Sequence, residues 1–347
     1  MGINLLKKRL GKKYKQIKTG ALYHVFGPSD CRRCSLQHGT ESPVSILQLI
    51  MKQITFIGIG EIGSALMHVI GERAFIRAWD KDTSKMEKPL SLEESLIGAE
   101  IVFLCVPSWV VREVSKEISQ FINNKTVIIS LAKGLEEKTL KTMDAVLEEC
   151  LPKGQPFGVL GGPILAEELM ADLPGVGVLG VKDQAVFSNL QPLFQGSSVR
   201  LESVSDVRTV ALASVLKNIY AVGLGIAEGL GWGWNGKGWL AAKAMDEMNI
   251  IVRLLGGDER IIAGAAGGGD FLATAMSPDS RNRETGREIA IAGECVKASE
   301  GCHSIAPVLQ LVNDSKQHLP FLLSLDRIIN QHEKPKKVFE ELLRSSS

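Results

Sequence analysis

The chain has 347 residues, 45% apolar and 23% charged, with a formal net charge of +1, which suits a soluble globular protein of two domains with a substantial core. Residues 1–50 carry nine Lys/Arg against Asp30 and Glu41, a balance of +7 that leaves −6 for the remainder. That mildly acidic body excludes a nucleic-acid surface on the main fold, and no run of about 18 uninterrupted apolar residues marks a membrane span.

Residues 1–50 read as a basic extension. "KKRLGKKYKQIK" stays open between a targeting arm, an RNA- or lipid-contacting tail, and a disordered segment outside the native chain. "MGINLL" has Leu6 where myristoylation requires Ser or Thr. Cys31 and Cys34 in "CRRC", with His24 and His38 nearby, make only half of a zinc set, and structural zinc takes four ligands, so no metal is assigned. Cys105, Cys150, Cys295 and Cys302 form no framework, which points to a reducing, cytoplasmic compartment. Met51-Lys52 directly precedes a strand, as at the start of many dinucleotide-binding chains. Residues 1–50 are therefore expected to lie upstream of the folded protein.

"ITFIGIGEIGSALMHVIG" is an apolar strand, a glycine turn and a helix. Gly58, Gly60 and Gly63 spell G-x-G-x-x-G: tight turn, close approach to a pyrophosphate, close helix-on-strand packing. The backbone N–H groups of Glu61 and Ile62 at the helix start then face the phosphates. The next strand, "AFIRAWD", ends at Asp80, near the usual place of an acidic ribose ligand that repels a 2′-phosphate. This favours NAD over NADP. The competing reading of Asp80 is a solvated turn residue.

Further strands follow in "EIVFLCVPS", "KTVIISLAKG", "FGVLGGP", "GVGVLGV" and "SVRLES", with helical patterns in "WVVREVSKEISQF" and "EEKTLKTMDAVLEEC". The alternation predicts an α/β domain over 51–202, a doubly wound parallel sheet covered on both faces. Lys133 follows a buried strand: it is either a solvated loop lysine or a group reaching the cleft at the strand ends.

From 203 to 347 the pattern is helical. In "DVRTVALASVLKNIYAVGLGIAEGL", with Asp206 near the start, Val210, Ala213, Ser214, Lys217, Asn218, Ala221 and Gly225 share one side. A face of small residues admits a backbone or a ligand, and an unpaired lysine there is costly. The alternative is a snorkelling surface lysine. "LLGGDERIIAGAAGGGDFLATAMSPDSRNRETG" reads as a long glycine-rich functional loop. It carries Asp270 and an Arg281-Asn282 pair whose donors suit a phosphate, or else a capping cluster.

Four segments together, "GIGEIGSAL", "VPS" with "SLAKGLE", "GGPILAEE", and "LKNIYAVGLGIAEGLGWGWN" continued by "AGGGDFLATAMSPDSRNRETG", resemble NAD(P)-dependent glycerol-3-phosphate dehydrogenase from about Lys52 to Gly301. The resemblance implies a Rossmann-type sheet domain followed by an all-helical substrate domain, a cytoplasmic homodimer, and reversible reduction of dihydroxyacetone phosphate in phospholipid or glycerol metabolism. By the same resemblance Lys217 is the general acid/base, Lys133 lines the site, and Asp270 supports the lysine or binds substrate. Arg281 and Asn282 hold the phosphate, with Arg281 also near the cofactor, and Asn218 and Ser280 contact substrate. Gly162 and Ala166 line the site, and Glu300 contacts cofactor.

The residue types agree with that chemistry. A buried lysine of depressed pKa, beside a second cation, can both give and take the carbonyl proton. The chain departs from the family pattern at Ile164, Ala211, Ala213, Ser214, Trp234 and Ala242-Lys243. The departures leave two other readings: a related β-hydroxyacid-type dehydrogenase, or a nucleotide-binding regulator without catalysis.

Overall fold

The computed structural model describes residues 51–293 and 299–344. The extension over 1–50, with its Cys-x-x-Cys pair, and Cys295 lie outside the described residues.

Buried apolar runs make the strands. β1 (Gln53–Ile57), β3 (Ile101–Leu104), β4 (Val127–Ser130) and β5 (Phe157–Gly161) are the parallel centre, with β2 (Phe75–Trp79) at the edge. The sheet order is β2-β1-β3-β4-β5-β6-β7. Ile54 lies opposite Ile76 on one side and Ile101 on the other. Order therefore reverses between β1 and β3, where the chain leaves one strand for α1 (Glu61–Ile70) and the other for Val106-Pro107-Ser108. A crevice at such a reversal is where ligands bind in open α/β sheets. The shorter helices α2 (Leu92–Leu96), α3 (Val111–Ile118) and α4 (Met143–Cys150) follow β2, β3 and β4 in turn.

The sheet departs from the wholly parallel expectation. β6 (Gly175–Val181) runs antiparallel to β5, and β7 (Val199–Val204), reached through α6 (Gln184–Leu190), is parallel to β6. The connection explains it. Gly162 turns the chain at φ +93°, and α5 (Ala166–Met170) has only five residues and packs on α1. A parallel return requires a helix that crosses the sheet; here the chain re-enters from the end it left. "EEKTLKTMDAVLEEC" is likewise helical only from Met143. Leu140 adopts φ +57°, which a helix interior does not tolerate.

All seven strands precede Ser205, and the described elements after it are helical. α7 (Val207–Gly229) starts at Asp206, whose carboxylate accepts from Thr209 N at 3.1 Å. Its length and apolar composition would also suit a bilayer, but it is the central helix of the protein, buried from Thr209 to Ala227. α8 (Trp234–Leu254), α9 (Asp270–Met276), α10 (Arg281–Ala292), α11 (Glu300–Leu311), α12 (Pro320–Ile329) and α13 (Pro335–Arg344) complete this half. The buried Glu247 ties α12 to α7. It accepts from Tyr220 Oη at 2.8 Å and from the N–H groups of Phe321 and Leu322 at 2.6 and 2.9 Å. Burial lifts its carboxyl to about 7 despite these donors.

The small residues on α7 serve helix packing. A Cβ on Gly225 would lie 2.0 Å from the Arg283 carbonyl oxygen, and one on Gly286 2.0 Å from that of Val222. α7 and α10 thus touch backbone to backbone. Gly225→Ala is expected to destabilise the protein by about 3 kcal/mol through overpacking. An unchanged denaturant midpoint would contradict this packing account.

Candidate active site

The glycine turn is built as its spacing demands. Gly58 sits at φ +100°, and a Cβ there would meet the Cys105 carbonyl oxygen at 2.5 Å. A Cβ on Gly63 would lie 2.3 Å from the Gly58 oxygen, whereas one on Gly60 meets nothing within 4 Å. Gly60 is also the N-cap of α1 and offers no capping side chain. An uncapped helix start with an open backbone, offering the N–H groups of Glu61 and Ile62, suits an anion. The residues present therefore fit a dinucleotide pyrophosphate.

Asp80 is the strut of this turn. Its Oδ2 accepts from Ile59 N at 2.7 Å and from Lys85 at 3.2 Å, and its Oδ1 from Asp82 N at 2.9 Å. Burial pushes this carboxyl up, but the Ile59 and Asp82 N–H groups and the Lys85 ammonium outweigh it and hold it below its ordinary range. It is thus not a free turn residue: its carboxylate ties the end of β2 to the glycine turn.

Lys217, from the middle of α7, is 2% exposed and Asp270 is fully buried. Lys217 Nζ donates to Asp270 Oδ1 at 2.5 Å and to Thr274 Oγ1 at 2.8 Å. The other Asp270 oxygen has no hydrogen-bond partner but faces Lys133 Nζ at 3.8 Å. The snorkelling reading of Lys217 is excluded by this burial. Burial depresses the Lys217 pKa, Asp270 raises it and Lys133 depresses it again, to about 7. A lysine held there exchanges a proton at neutral pH.

The glycine-rich stretch before Asp270 is not a structureless loop. Ala265–Gly269 form one π-helical turn that runs directly into α9. The widened turn presents Asp270 as the first residue of α9, and Thr274 follows one turn later on the same side. Sequence reasoning missed Thr274, although its spacing of four from Asp270 was the available signal.

The remaining predicted residues fall into two groups. Asn218 Nδ2 donates to Glu300 Oε2 at 3.4 Å, and Asn282 Oδ1 accepts from Gly301 N at 3.0 Å. Burial raises the Glu300 carboxyl even though Lys133, Lys217, Arg281 and His303 draw it down. Lys133 and Glu300 share an open cleft of about 380 Å³ with Ser108, Trp109, Gly134 and His303. Arg281, mostly exposed, donates to the Glu61 carboxylate, joining the start of α10 to the glycine turn.

The second group is placed in the framework. The Ser280 hydroxyl caps α10 through Arg283 N at 3.3 Å. Gly162 turns the chain against Val176, where a Cβ would lie 2.4 Å from its carbonyl oxygen. Ala166 and Ile62 pack on the sheet core. Among the departures, Ile164, Ala211 and Ala213 are buried, and the Ser214 hydroxyl is buried without a partner. Trp234 is at the surface with Lys237 3.9 Å over its ring. Among the described residues no group of three or more His, Cys, Asp or Glu is placed to hold a metal ion.

Two family models match the chain: the NAD-dependent glycerol-3-phosphate dehydrogenase N-terminus over residues 83–187 and its C-terminus over 206–340. The glycerol-3-phosphate dehydrogenase (NAD(P)+) 2 of Sphingopyxis alaskensis is 31% identical over 323 residues, covering 85% of this chain and 97% of its own. That of Clostridium acetobutylicum is 31% identical over 326 residues, with 84% and 97% covered. Among solved structures, glycerol-3-phosphate dehydrogenase from Coxiella burnetii superimposes with a TM-score of 0.75 at 27% identity, covering 85% of this chain and 99% of the other.

Proposed function

The chain belongs to the NAD-dependent glycerol-3-phosphate dehydrogenase family, and from that premise we propose that it interconverts dihydroxyacetone phosphate and sn-glycerol 3-phosphate with NADH or NADPH. The observation that carries the reading is the buried Lys217–Asp270–Thr274 cluster with Lys133 at its rim. Residues 51–202 hold the cofactor and 203–347 the substrate. The test is the purified protein with dihydroxyacetone phosphate and either cofactor; absence of turnover with both defeats the proposal.

When bound, the nicotinamide supplies the hydride. The N–H groups of Glu61 and Ile62 beside Gly60 would hold the cofactor's pyrophosphate. Asp80 keeps the turn in shape, and its carboxylate would accept from the ribose hydroxyls. Lys217 gives its proton to the substrate oxygen as negative charge develops there, and takes it back in the oxidative direction. Asp270 and Thr274 fix the direction of the ammonium. Lys133 adds a second positive charge, which stabilises the developing oxyanion and eases proton release from Lys217. Glu300 and Asn218 close the site against α11, and Asn282 holds Gly301 so that Glu300 stays in place.

Arg281, already at the glycine turn, is proposed to bind the substrate phosphate, anchoring the carbonyl for reaction. Arg281→Ala is expected to raise KM for dihydroxyacetone phosphate about 50-fold while kcat falls less, since a charge-assisted phosphate contact is lost. An unchanged KM would instead favour a related dehydrogenase that acts on an unphosphorylated substrate. A homodimer in the cytoplasm belongs to the same proposal. Light scattering on the purified protein tests the oligomeric part.

A further inference from the structure

Lys133 reaches the buried cluster from an irregular loop, and residues 133–142 show how that loop is held. A Cβ on Gly134 would lie 2.3 Å from the Ser108 hydroxyl, so the loop is pressed against the turn that follows β3. An isolated bridge pairs Leu135 with Thr142. Glu136 closes the loop on itself: its N–H donates to the Lys141 carbonyl at 2.9 Å, and its carbonyl accepts from Leu140 N at 2.7 Å.

The Glu136 side chain points out of this loop to Arg112 on α3. Arg112 Nε and Nη2 donate to its two carboxylate oxygens at 2.6 and 2.9 Å, the parallel fork that fixes orientation as well as distance. Nη2 also donates to Glu149 Oε2 on α4 at 2.8 Å. Side-chain exposure is 27% for Arg112 and 13% for Glu136, so the pair is shielded beyond the usual surface ion pair. The fork holds the Glu136 carboxyl below its ordinary range. Arg112 thus joins α3, α4 and the 133–142 loop at one guanidinium, without touching Lys133.

We propose that Arg112 is a positioning residue for Lys133: by clamping Glu136 it fixes the loop from which the Lys133 ammonium reaches the second oxygen of Asp270. The assignment rests on the reaction proposed above. The relevant distance is 3.8 Å between Lys133 Nζ and Asp270 Oδ2, just beyond a hydrogen bond. A long lysine side chain has large rotamer freedom. Its ammonium stays at that point only if the backbone beneath it is fixed, and Gly134 and Glu136 pin this backbone nearest to Lys133. Loosening the clamp disperses the Lys133 charge and removes its repulsion of the Lys217 ammonium.

The experiment compares Arg112→Gln, Arg112→Lys and Glu149→Gln with the unaltered enzyme, following kcat, KM and the pH dependence of dihydroxyacetone phosphate reduction. Arg112→Gln is expected to lower kcat about tenfold with KM changed less than about twofold. It also moves the alkaline loss of activity to higher pH, because Lys217 keeps its proton longer without the neighbouring cation. Arg112→Lys restores part of both, and Glu149→Gln, which leaves the fork to Glu136 intact and loses only exposed pairs with Arg112 and with Lys141 of the loop, keeps kcat within about twofold and the pH profile unmoved. Should Arg112→Gln fail to fold, Glu136→Gln removes the same clamp from the loop side, with the same shift expected. A lowered melting temperature with an unmoved pH profile and unchanged kcat reduces Arg112 to a structural role and overturns the proposal. Absence of turnover in the unaltered enzyme overturns the reaction itself, and this assignment with it.

Discussion

Lys217→Met is expected to lower kcat for dihydroxyacetone phosphate reduction by about a thousandfold, with NADH affinity changed less than about threefold, because the proton donor is lost while the glycine turn is untouched. Methionine is unbranched and similar in length, so it fills the slot of a side chain that is 2% exposed. Asp270 would then keep only the Lys133 ammonium, at 3.8 Å, as a positive partner. Some loss of stability follows from that weaker pairing, but the fold retains a compensating charge. Single-turnover measurement with bound NADH separates lost chemistry from lost binding.

The pH profile supplies the sign. Lys217 is lowered to about 7, so its ammonium is lost as pH rises through that value. Reduction, which consumes the ammonium's proton, is expected to fall through pH 7. Oxidation of sn-glycerol 3-phosphate, which needs the neutral amine, is expected to rise through it. Lys217→Met should show neither limb. A residual limb near 7 in that variant would assign the titration to another group, with Glu247, lifted to about 7 behind α7, the first to test.

What could be read in the sequence was local chemistry; what could not was long-range geometry. Lys217 stood out because an ammonium in a small-residue helix demands a partner, and Asp270 closed a glycine run. The glycine turn was legible because Gly58 and Gly63 answer contacts made within a few residues or with the adjacent strand, while Gly60 leaves its backbone open. By contrast, the partner of Glu61 is Arg281, 220 positions away, and no periodicity reports such a pair. Asp80 was placed at the right strand end, yet its carboxylate holds Ile59 N, a detail set by how two strand ends meet. The reversal at β6 escaped because apolar strand runs look alike in either direction; the short connection after Gly162 was the only trace of it. Residues 136–142 read as helix because Leu140 is a good helix former, and the Arg112–Glu136 pairing overrides that propensity.

The sharpest test of the buried cluster is Asp270→Asn, which removes one charge and preserves shape. Asp270 raises the Lys217 pKa, while burial and Lys133 lower it. Without the carboxylate both remaining influences act in the same direction, so Lys217 gives up its proton well below pH 7. Reduction at pH 7 is then expected to fall about a hundredfold, because the donor is already neutral, and its alkaline limb moves to lower pH. Oxidation needs that neutral amine, so its rising limb moves to lower pH with the same pKa, and kcat/KM in the two directions stays tied by the unchanged equilibrium. Breaking a buried pair from one side costs about 3–5 kcal/mol when the other charge persists. Here the lysine can neutralise instead, so the loss of stability should be greatest at low pH, where Lys217 is forced to stay charged beside Lys133. The shift is opposite in sign to that expected for Arg112→Gln, which removes a cation's influence rather than an anion's. A limb that moves upward or stays in place in Asp270→Asn would show that Asp270 orients the lysine without holding its proton.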